Sequence, residues 1–472
     1  MPFLYLPILI IAIVGGVLFA SLSLYFRSRP LAGANIVLAV YLIEILFVHV
    51  PPIPLGVQIY PADIVFALLF GAVMFRYAIG MPKLRAFRWI LIALFLLYFI
   101  SVARGFALFG LKQTANEGRG WFYFLTGMAY FSSFSLSSSM RKKLMTRWFV
   151  ASVLMIVIAM FRWVAVATGV SVGTDWAEGG TSIRVLNSSA AFFLAMAFFG
   201  SMFLNISHRG PKWQRRAFYV LGPVILLLQH RTVWEVMIVG LLWLGLRDAR
   251  FRKKAKGAIV GMALVGIMMG GFVFGHRSEL ISGTLRNSAT NGDTFLWRVV
   301  GWYQLVFNNF ADNDNPTLRK LDRTIGQPFG TGYERMVLGA HLPPFTVPHN
   351  YYVETYLRLG IVGLFLLILL YVSGMRRMKR MRPRFRNHAY PNPNFWHLVL
   401  LSQLCFFLTY GASYDQSILA GAALAGIRLK GYHLKTPKEP CLTGSSSGEQ
   451  DTKESEIGQR LGEGQSDNSD PV

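Results

Sequence analysis

The chain has 472 residues, of which 53% are hydrophobic and only 15% are charged. An ordinary soluble protein of this length needs more charge to cover its surface, so the composition indicates a protein embedded in a bilayer. The net charge of +24 does not require a nucleic-acid partner, because more than half of the 47 Lys and Arg residues fall in six short loops between apolar runs. These features predict an all-α polytopic membrane protein.

Apolar runs near the roughly 20 residues that a helix needs to cross hydrocarbon recur along the chain. The predicted spans, in chain order, are 3–25, 31–50, 62–80, 88–104, 120–137, 148–170, 187–205, 217–229, 232–246, 257–275, 350–374, 394–412 and 414–427. The last span is short, so the predicted count is 12 or 13 transmembrane helices. No basic residue precedes the first apolar run, unlike a cleavable signal peptide, and we expect that run to be retained as a helix with its N-terminus outside.

The positive charge alternates from loop to loop. The basic loops are Arg27/Arg29, Lys83/Arg85/Arg88, Arg141/Lys142/Lys143/Arg147, Arg209/Lys212/Arg215/Arg216, Arg247 to Lys256 and Arg376 to Arg386. The positive-inside rule predicts that these loops are cytoplasmic and that the opposite set faces outward. The outward set comprises 51–61, 105–119, 171–186, 229–231 and the long segment 276–349. Residues 428–472 are predicted to be a cytoplasmic tail, disordered from 443 onward because it is polar and lacks apolar periodicity.

The long outward segment 276–349 carries nine large aromatic residues and nearly balanced charges. Loops of this length are functional or disordered, and the aromatic content favours an ordered one. Apolar residues at helical spacing over 294–309 predict an amphipathic helix that lies over the membrane mouth. Because the charges are balanced, the positive-inside rule does not explain the arginines of this segment, among them Arg298.

Arg231 opens a predicted helix on the outward side. A cation at a helix N-terminus opposes the helix dipole, so a compensating anion is expected there. A phosphate would interact with both the guanidinium and the free amides of the first helical turn. An ion pair with Glu235, four residues later, explains Arg231 equally well.

His349 lies at the end of the long segment, directly before a strong membrane helix for which Asn350 is the predicted N-cap. The positive end of a helix disfavours imidazolium, and a neutral imidazole is what a general base requires. The alternative is a histidine that only hydrogen-bonds the loop.

Other polar residues are weaker candidates. Asp312 and Asp314 have the spacing of a metal-binding pair, but they stand in turn sequence where Asx turns explain them, so no metal site is predicted. Charged groups within spans are expensive in hydrocarbon, so we expect Glu44, Arg162 and Asp415 to face a cavity or a partner. The two cysteines of the chain cannot form a disulfide framework or a cysteine-based metal site.

Taken in order, the motifs of residues 220–427 resemble those of the O-antigen ligase and O-antigen polymerase superfamily. The matching motifs are His230-Arg231-Thr232, Arg298-Val-Val-Gly-Trp302, Pro328-Phe-Gly330-Thr-Gly332, His349-Asn350 and Leu359-Gly360-Ile361-Val362-Gly363. Two features depart from the family pattern. One extra helix is predicted at the N-terminus, and His230 stands where a small polar residue is usual.

The resemblance implies a glycosyltransferase of the bacterial inner membrane whose active site faces the periplasm. The donor would be a polyprenyl-diphosphate-linked oligosaccharide, and the acceptor a glycan or lipid A core. Arg231 and Arg298 would bind the diphosphate and stabilise its charge, and His349 would accept the proton of the acceptor hydroxyl. Asp415, Glu235 and Asn350 would support them. Neither a metal nor a cofactor is then required.

The resemblance also predicts a domain organisation. Residues 1–219 would be N-terminal transmembrane helices, 220–427 the catalytic membrane region with its periplasmic loop 276–349, and 428–472 the tail. Besides membrane lipids, a chain-length regulator and a flippase are possible partners.

Three functions remain open at this point. A polymerase would extend a lipid-linked repeat unit and is the preferred interpretation, whereas a ligase would transfer the glycan to lipid A core or to a protein. A transporter of lipid-linked saccharide is disfavoured, because transport predicts charged residues near the midplane and the candidate residues lie at the outer surface.

Overall fold

The computed structural model describes residues 5–47, 51–55, 57–78, 85–168, 177–178, 182–183, 185–247, 251–252, 257, 260, 264, 293–307, 315–385 and 393–427. Most of these residues are helical, so the predicted all-α class is confirmed. They belong to one compact unit, in which helices on both sides of residue 220 pack together. The predicted tail 428–472 and the pair Asp312 and Asp314 lie outside the described residues.

The helices of the described chain are α1 Tyr5–Arg27, α2 Pro30–Leu46, α3 Pro61–Ala78, α4 Arg85–Ser132, α5 Ser138–Ala167, α6 Ser188–Ile206, α7 Lys212–Arg216, α8 Phe218–Leu227, α9 Arg231–Arg247, α10 Asp293–Phe307, α11 Pro316–Ile325, α12 Tyr351–Phe385, α13 Pro393–Phe406 and α14 Gln416–Leu424. The strands are β1 Ile53–Leu55, β2 Val57–Ile59, β3 Ser135–Leu136, β4 Ala177–Glu178, β5 Ser182–Ile183, β6 Arg335–Val337, β7 Ala340–Leu342 and β8 Gly426–Ile427. Three antiparallel pairs, β1 with β2, β4 with β5 and β6 with β7, and one parallel pair, β3 with β8, are formed.

Within the described residues, five helices are long and apolar enough to cross a membrane, or six when α1 and α2, bent by 114°, count as one broken span. The predicted total of 12 or 13 spans stays a prediction, because this number counts α4, which covers two predicted spans, as one helix and leaves part of the chain out. The predicted spans 217–229 and 414–427 are helices of only 10 and 9 residues. At about 1.5 Å per residue, neither reaches across a hydrocarbon core of roughly 30 Å. Most of the predicted span 257–275 lies outside the described residues.

α4 combines two predicted spans in one 48-residue element that is broken at Gly110, where φ is 77°. The ring centroids of Tyr98 and Phe122, on opposite sides of the break, are 6.4 Å apart. In a straight helix these residues would stand about 36 Å apart along the axis. The element therefore folds back on itself, and the predicted loop 105–119 is a helical corner whose left-handed residue is a glycine.

α6 is the central helix of the bundle. Its N-cap Asn187 accepts a hydrogen bond from the amide of Ala190 at 2.8 Å, which satisfies an otherwise unpaired donor of the first turn. Residues 190 to 204 are all buried, in agreement with the predicted span 187–205. A helix that is apolar on every face is stable only where other helices surround it.

The helix predicted over 294–309 is confirmed as α10, whereas its place over the membrane mouth stays a prediction. Gly301 and Leu305 are buried on one face, whereas Leu296, Tyr303 and Phe307 are more than half exposed on the other. The buried face packs against β6 and the first turns of α12. α10 thus brings its own residues, Arg298 included, next to the segment that leads to His349.

Contacts between helix termini define two ends of the bundle. At one end, Arg76 of α3 donates to the carbonyls of Arg27 and Ser133, while Arg141 of α5 donates to that of Ala425. Arg27 and Arg141, from two different predicted basic loops, therefore lie at the same end of the bundle. The first turns of α9 and α12 meet the last turn of α13 at the other end. Which compartment each end faces stays a prediction.

Candidate functional site

Arg298 and His349 meet at the ring of Tyr410, just beyond the C-terminus of α13. The guanidinium carbon of Arg298 lies 5.5 Å from the ring centroid, within the range of a cation–π contact. The imidazole of His349 stands edge-on to the same ring, with centroids 6.0 Å apart and planes at 77°. Residues 51 positions apart in sequence are therefore close enough to contact one ligand.

Hydrogen bonds between α12 and α13 hold His349 beside Tyr410. Asn350 caps α12, since its side-chain oxygen accepts from the amides of Tyr352 and Val353 at 3.0 and 3.1 Å. The amide of Tyr351 donates to the carbonyl of Phe407 at 2.9 Å. The predicted N-cap is confirmed, and it fixes the first turn of α12 against the last turn of α13.

His349 itself has a φ of 49°, in the left-handed region that residues other than glycine rarely adopt. Such a conformation persists only where the surroundings enforce it, and it is frequent at functional sites. Here the Asn350 cap follows it directly, and the preceding Pro348 is buried. The imidazole is half-buried, which leaves part of it accessible to a ligand.

Trp302 joins the helix of Arg298 to the segment of His349. Its indole Nε1 donates to the carbonyl of Pro348 at 2.6 Å. Arg298 and Trp302 are four residues apart and therefore lie on the same face of α10. One helical face thus contacts both the ring of Tyr410 and the residue before His349, so it fixes the two candidate residues relative to each other.

Arg231 begins α9 next to the same turn. The hydroxyl of Thr409 donates to that of Thr232 at 2.7 Å, so the start of α9 lies beside the residue that precedes Tyr410. His230 is buried with its Nε2 2.8 Å from the carbonyl of Leu186, while Arg231 is exposed. The structure therefore brings the Arg231 helix terminus to the Arg298–His349 junction.

Asp415 and Glu235 occupy other surroundings. Asp415 is fully buried at the N-terminus of α14 and accepts a hydrogen bond from Ser189 of α6 at 2.9 Å. Glu235 is exposed on α9, where its charge acts on Cys405. No described contact joins Asp415 to Arg298 or His349, so its role beside them stays a prediction.

The intramembrane charges Glu44 and Arg162 have protein partners, as the cost of a charge in hydrocarbon requires. Glu44 accepts a hydrogen bond from the hydroxyl of Tyr414 at 2.5 Å. Arg162 donates to the carbonyls of Ile45 and, at 2.7 Å, Val185. This expectation is confirmed.

A buried ion pair holds the Pro-Phe-Gly-Thr-Gly turn of the long segment. Glu117 of α4 accepts from the amides of Gly330 and Gly332 at 2.6 and 3.3 Å and pairs with Arg358 of α12. Arg358 is fully buried, donates to the carbonyl of Gly332 at 2.6 Å and lies over the ring of Tyr333, with its guanidinium carbon 4.5 Å from the centroid. We call Glu117, Arg358 and the turn they hold the glycine-turn clamp.

The chain between the clamp and His349 is folded back on itself. The amide of Tyr333 donates to the carbonyl of Pro344 at 2.7 Å, and Arg335 donates to the carbonyls of Tyr333 and Thr346 at 2.8 and 2.9 Å. Burial lowers the pKa of the Arg335 guanidinium and raises the pKa of the Tyr333 hydroxyl. These hydrogen bonds connect the clamp, across the β6–β7 hairpin, to the segment that leads to His349.

Sequence reasoning missed the clamp and Tyr410. Arg358 stands inside a predicted span and Glu117 inside a predicted loop, 241 positions apart, so nothing local indicates their pairing. One signal was available: Arg358 lies in a predicted span, and an arginine in hydrocarbon is costly unless it has a partner. Tyr410 gave no signal, because an aromatic residue at a helix end is ordinary in a membrane protein.

The described residues contain no group of three or more His, Cys, Asp or Glu side chains that could hold a metal ion. The groups at the ring of Tyr410 are Arg298 and His349, and the exposed Arg231 begins the neighbouring α9. Such a set suits an anionic ligand and proton transfer.

No family profile, curated protein or solved structure matches the chain. The resemblance to the O-antigen ligase and polymerase superfamily therefore stays a prediction.

Proposed function

We propose that this chain is a membrane glycosyltransferase that uses a polyprenyl-diphosphate-linked glycan to build a surface polysaccharide. The observation that carries the proposal is the junction of Arg298 and His349 at the ring of Tyr410, with the start of α9 beside it. A guanidinium and an imidazole around one aromatic ring supply an anion-binding group, a proton acceptor and a surface on which a sugar face can pack.

In the proposed reaction, an acceptor hydroxyl oxygen attacks the anomeric carbon of the donor glycan. The bond between that carbon and the diphosphate oxygen breaks, and the diphosphate leaves with the bonding electron pair. His349 takes the proton of the hydroxyl, and Arg298 stabilises the charge that develops on the diphosphate. Because arginine supplies the positive charge, the step is proposed to be metal-independent and to need no cofactor.

Arg231 is proposed as the second diphosphate group. It is exposed at the first turn of α9, where the helix dipole and free amides add to its attraction for phosphate oxygens. Two arginines that approach a diphosphate from different helices would also fix its orientation. That orientation determines which face of the anomeric carbon the acceptor can reach.

The proposed location is the bacterial inner membrane, with the junction facing the periplasm. The positive-inside rule supports this orientation, since the arginines of the basic loops gather at the opposite end of the bundle. Lipid-linked glycans that have crossed the membrane would then reach the site from the outer leaflet.

Polymerase is the preferred activity, with a growing glycan transferred onto a second lipid-linked repeat unit. The alternative is a ligase with lipid A core, or a protein, as acceptor. A chromosomal deletion separates the two. Loss of long chains while single repeats are still attached supports the polymerase, whereas long lipid-linked chains that fail to reach lipid A support the ligase.

Transport of a lipid-linked saccharide is the remaining class. Purified protein in detergent, incubated with lipid-linked repeat units, tests it directly, because detergent abolishes transport but permits transfer. Glycan products longer than the supplied repeat, or glycan transferred to added lipid A core, support the transferase. If neither product forms under conditions in which the protein stays folded and monodisperse, the proposal fails.

A further inference from the structure

The turn between α13 and α14 is contacted by a carboxylate that the proposed mechanism does not use. All residues of the turn, 409–413, are partly exposed. The residue after Tyr410 is Gly411, and a Cβ added there would lie 3.5 Å from Oε2 of Glu354. That Cβ would meet no other non-neighbouring heavy atom of the described chain within 4 Å. Open space therefore lies beside Gly411, next to the candidate site, and the Glu354 carboxylate borders it.

Two hydrogen bonds hold Glu354 in this position. Its amide donates to the carbonyl of Asn350 at 2.9 Å in the first turn of α12, and its Oε1 accepts from the indole Nε1 of Trp121 at 3.1 Å. Trp121 is buried and stacks on Tyr351, with ring centroids 4.5 Å apart. One oxygen of the carboxylate is thus fixed by α4, which leaves the other oxygen facing Gly411.

Oε2 of Glu354 has no hydrogen-bond or ion-pair partner within the described part of the chain. Arg358 is near enough for its charge to act on this carboxylate, but it pairs with Glu117. Two other partly exposed carboxylates, those of Asp63 and Glu117, have a partner at each oxygen. A polar atom enclosed by protein is stabilised by a hydrogen-bond partner, so this oxygen can accept from a ligand in the open space.

The charge of Glu354 selects the kind of ligand. A carboxylate repels phosphate, so the lipid diphosphate of the proposed donor belongs beside Arg298 and not beside Glu354. Sugar hydroxyls, in contrast, donate charge-assisted hydrogen bonds to a carboxylate. The surroundings of Tyr410 therefore combine a cationic part that suits the diphosphate with an anionic part that suits hydroxyl groups.

We propose that Oε2 of Glu354 accepts a hydrogen bond from a hydroxyl of the acceptor glycan. This inference rests on the proposed glycan transfer. The hydrogen bond holds the acceptor in the space beside Gly411, next to Tyr410, so that another of its hydroxyls reaches His349. Glu354 takes no proton in the reaction, and its role is to bind and orient the acceptor.

Binding of two separate ligands to the purified full-length protein tests this role. The first is the oligosaccharide released from the lipid-linked repeat unit, and the second is polyprenyl diphosphate without a glycan. Glu354→Gln keeps an oxygen for Trp121 but loses the charge. We expect it to bind the oligosaccharide about tenfold or more weakly, as on loss of a hydrogen bond to a charged group, and polyprenyl diphosphate with native affinity.

Glu334→Gln is the matched control, because it removes a carboxylate that is 61% exposed on the long segment; it should bind both ligands with native affinity. Gly411→Ala is a second variant, which keeps the Glu354 charge and fills the space. The φ of Gly411 lies outside the left-handed region and the new methyl contacts only Oε2, so the fold should be retained. We expect Gly411→Ala to weaken oligosaccharide binding several-fold, and this variant decides the proposal if Glu354→Gln does not fold.

A selective loss of oligosaccharide affinity in these variants supports the proposal. It is overturned if the native protein does not bind the oligosaccharide, if both variants bind it with native affinity, or if they lose affinity for both ligands equally. A slower transfer by Glu354→Gln at saturating substrate, with unchanged binding, also overturns it, because Glu354 would then act in proton transfer. In each of these cases, glycan transfer by the native protein still supports the proposed function, whereas its absence refutes that function whatever Glu354 binds.

Discussion

Replacement of Glu117 by Gln tests the glycine-turn clamp. The amide oxygen of Gln can still accept from the amides of Gly330 and Gly332, so the substitution removes mainly the charge that faces Arg358. Arg358 is fully buried and the Glu117 side chain is 12% exposed. The variant leaves Arg358 without its ion-pair partner and with only the carboxyl of Glu354 nearby. Removal of one partner of a buried ion pair lowers the free energy of unfolding by about 3–5 kcal/mol.

Equilibrium unfolding of the purified protein in one detergent measures this loss. The double variant Glu117→Gln, Arg358→Met removes both charges. We expect its loss of unfolding free energy to be about 1–3 kcal/mol smaller than the sum of the two single losses, because the two side chains contact each other directly. Glu334→Gln is the control. Its side chain is 61% exposed and pairs with an exposed His341, so the expected change stays within about 0.5 kcal/mol.

The reasoning is refuted by either of two results. If the free energy of unfolding of Glu117→Gln lies within about 0.5 kcal/mol of the native value, the ion pair contributes little net stability. If the losses of the single variants simply add in the double variant, Glu117 and Arg358 do not interact in the folded protein.

Three further predictions concern single residues. Tyr410→Leu removes the ring shared by the guanidinium and the imidazole and should slow glycan transfer about tenfold or more in a steady-state assay, whereas Tyr410→Phe should keep most activity. Gly360→Ala should lower the thermal midpoint of unfolding by several degrees, because φ there is 68° and a Cβ would meet the backbone of Thr324. Gly15 has open space around it, so Gly15→Ala is the control and should leave the midpoint unchanged. Asn350→Ala removes the N-cap of α12 and should lower the free energy of unfolding by about 1 kcal/mol in a denaturant titration; Asn350→Asp should keep it.

The sequence was sufficient for features that depend on local patterns. The helix α10 follows from 3.6-residue periodicity, and the Asn350 cap follows from its place directly before an apolar run. The alternation of basic loops also predicted that these loops share one end of the bundle, where Arg27 and Arg141 are found.

Hydropathy marked two short helices, α8 and α14, as membrane spans for a physical reason. α8, with Pro223 inside it, and α14 are apolar because other helices bury them, and a buried short helix has the same composition as a membrane span. Composition alone cannot separate these two cases. The fold-back of α4 at Gly110 joins two predicted spans without a polar linker, which equally leaves no trace in hydropathy.

The geometry of the candidate site depends on contacts between distant residues. The pairing of Glu117 with Arg358 and the convergence of Arg298 and His349 on Tyr410 follow from how α4, α10, α12 and α13 pack. A single sequence carries no record of such packing. The candidate residues could be selected by charge and helix position, but their common partner could not.

The most direct test of the account is the rate of glycan transfer from a lipid-diphosphate donor by purified native protein and by His349→Ala, Arg298→Ala and Arg231→Ala. We expect a loss of about 100-fold or more for His349→Ala, as for removal of a general base, and a comparable loss for Arg298→Ala. The matched controls His341→Ala and Arg323→Ala, exposed on the same segment, should keep native rates. If His349→Ala and Arg231→Ala transfer glycan at the native rate, the proposed mechanism is wrong.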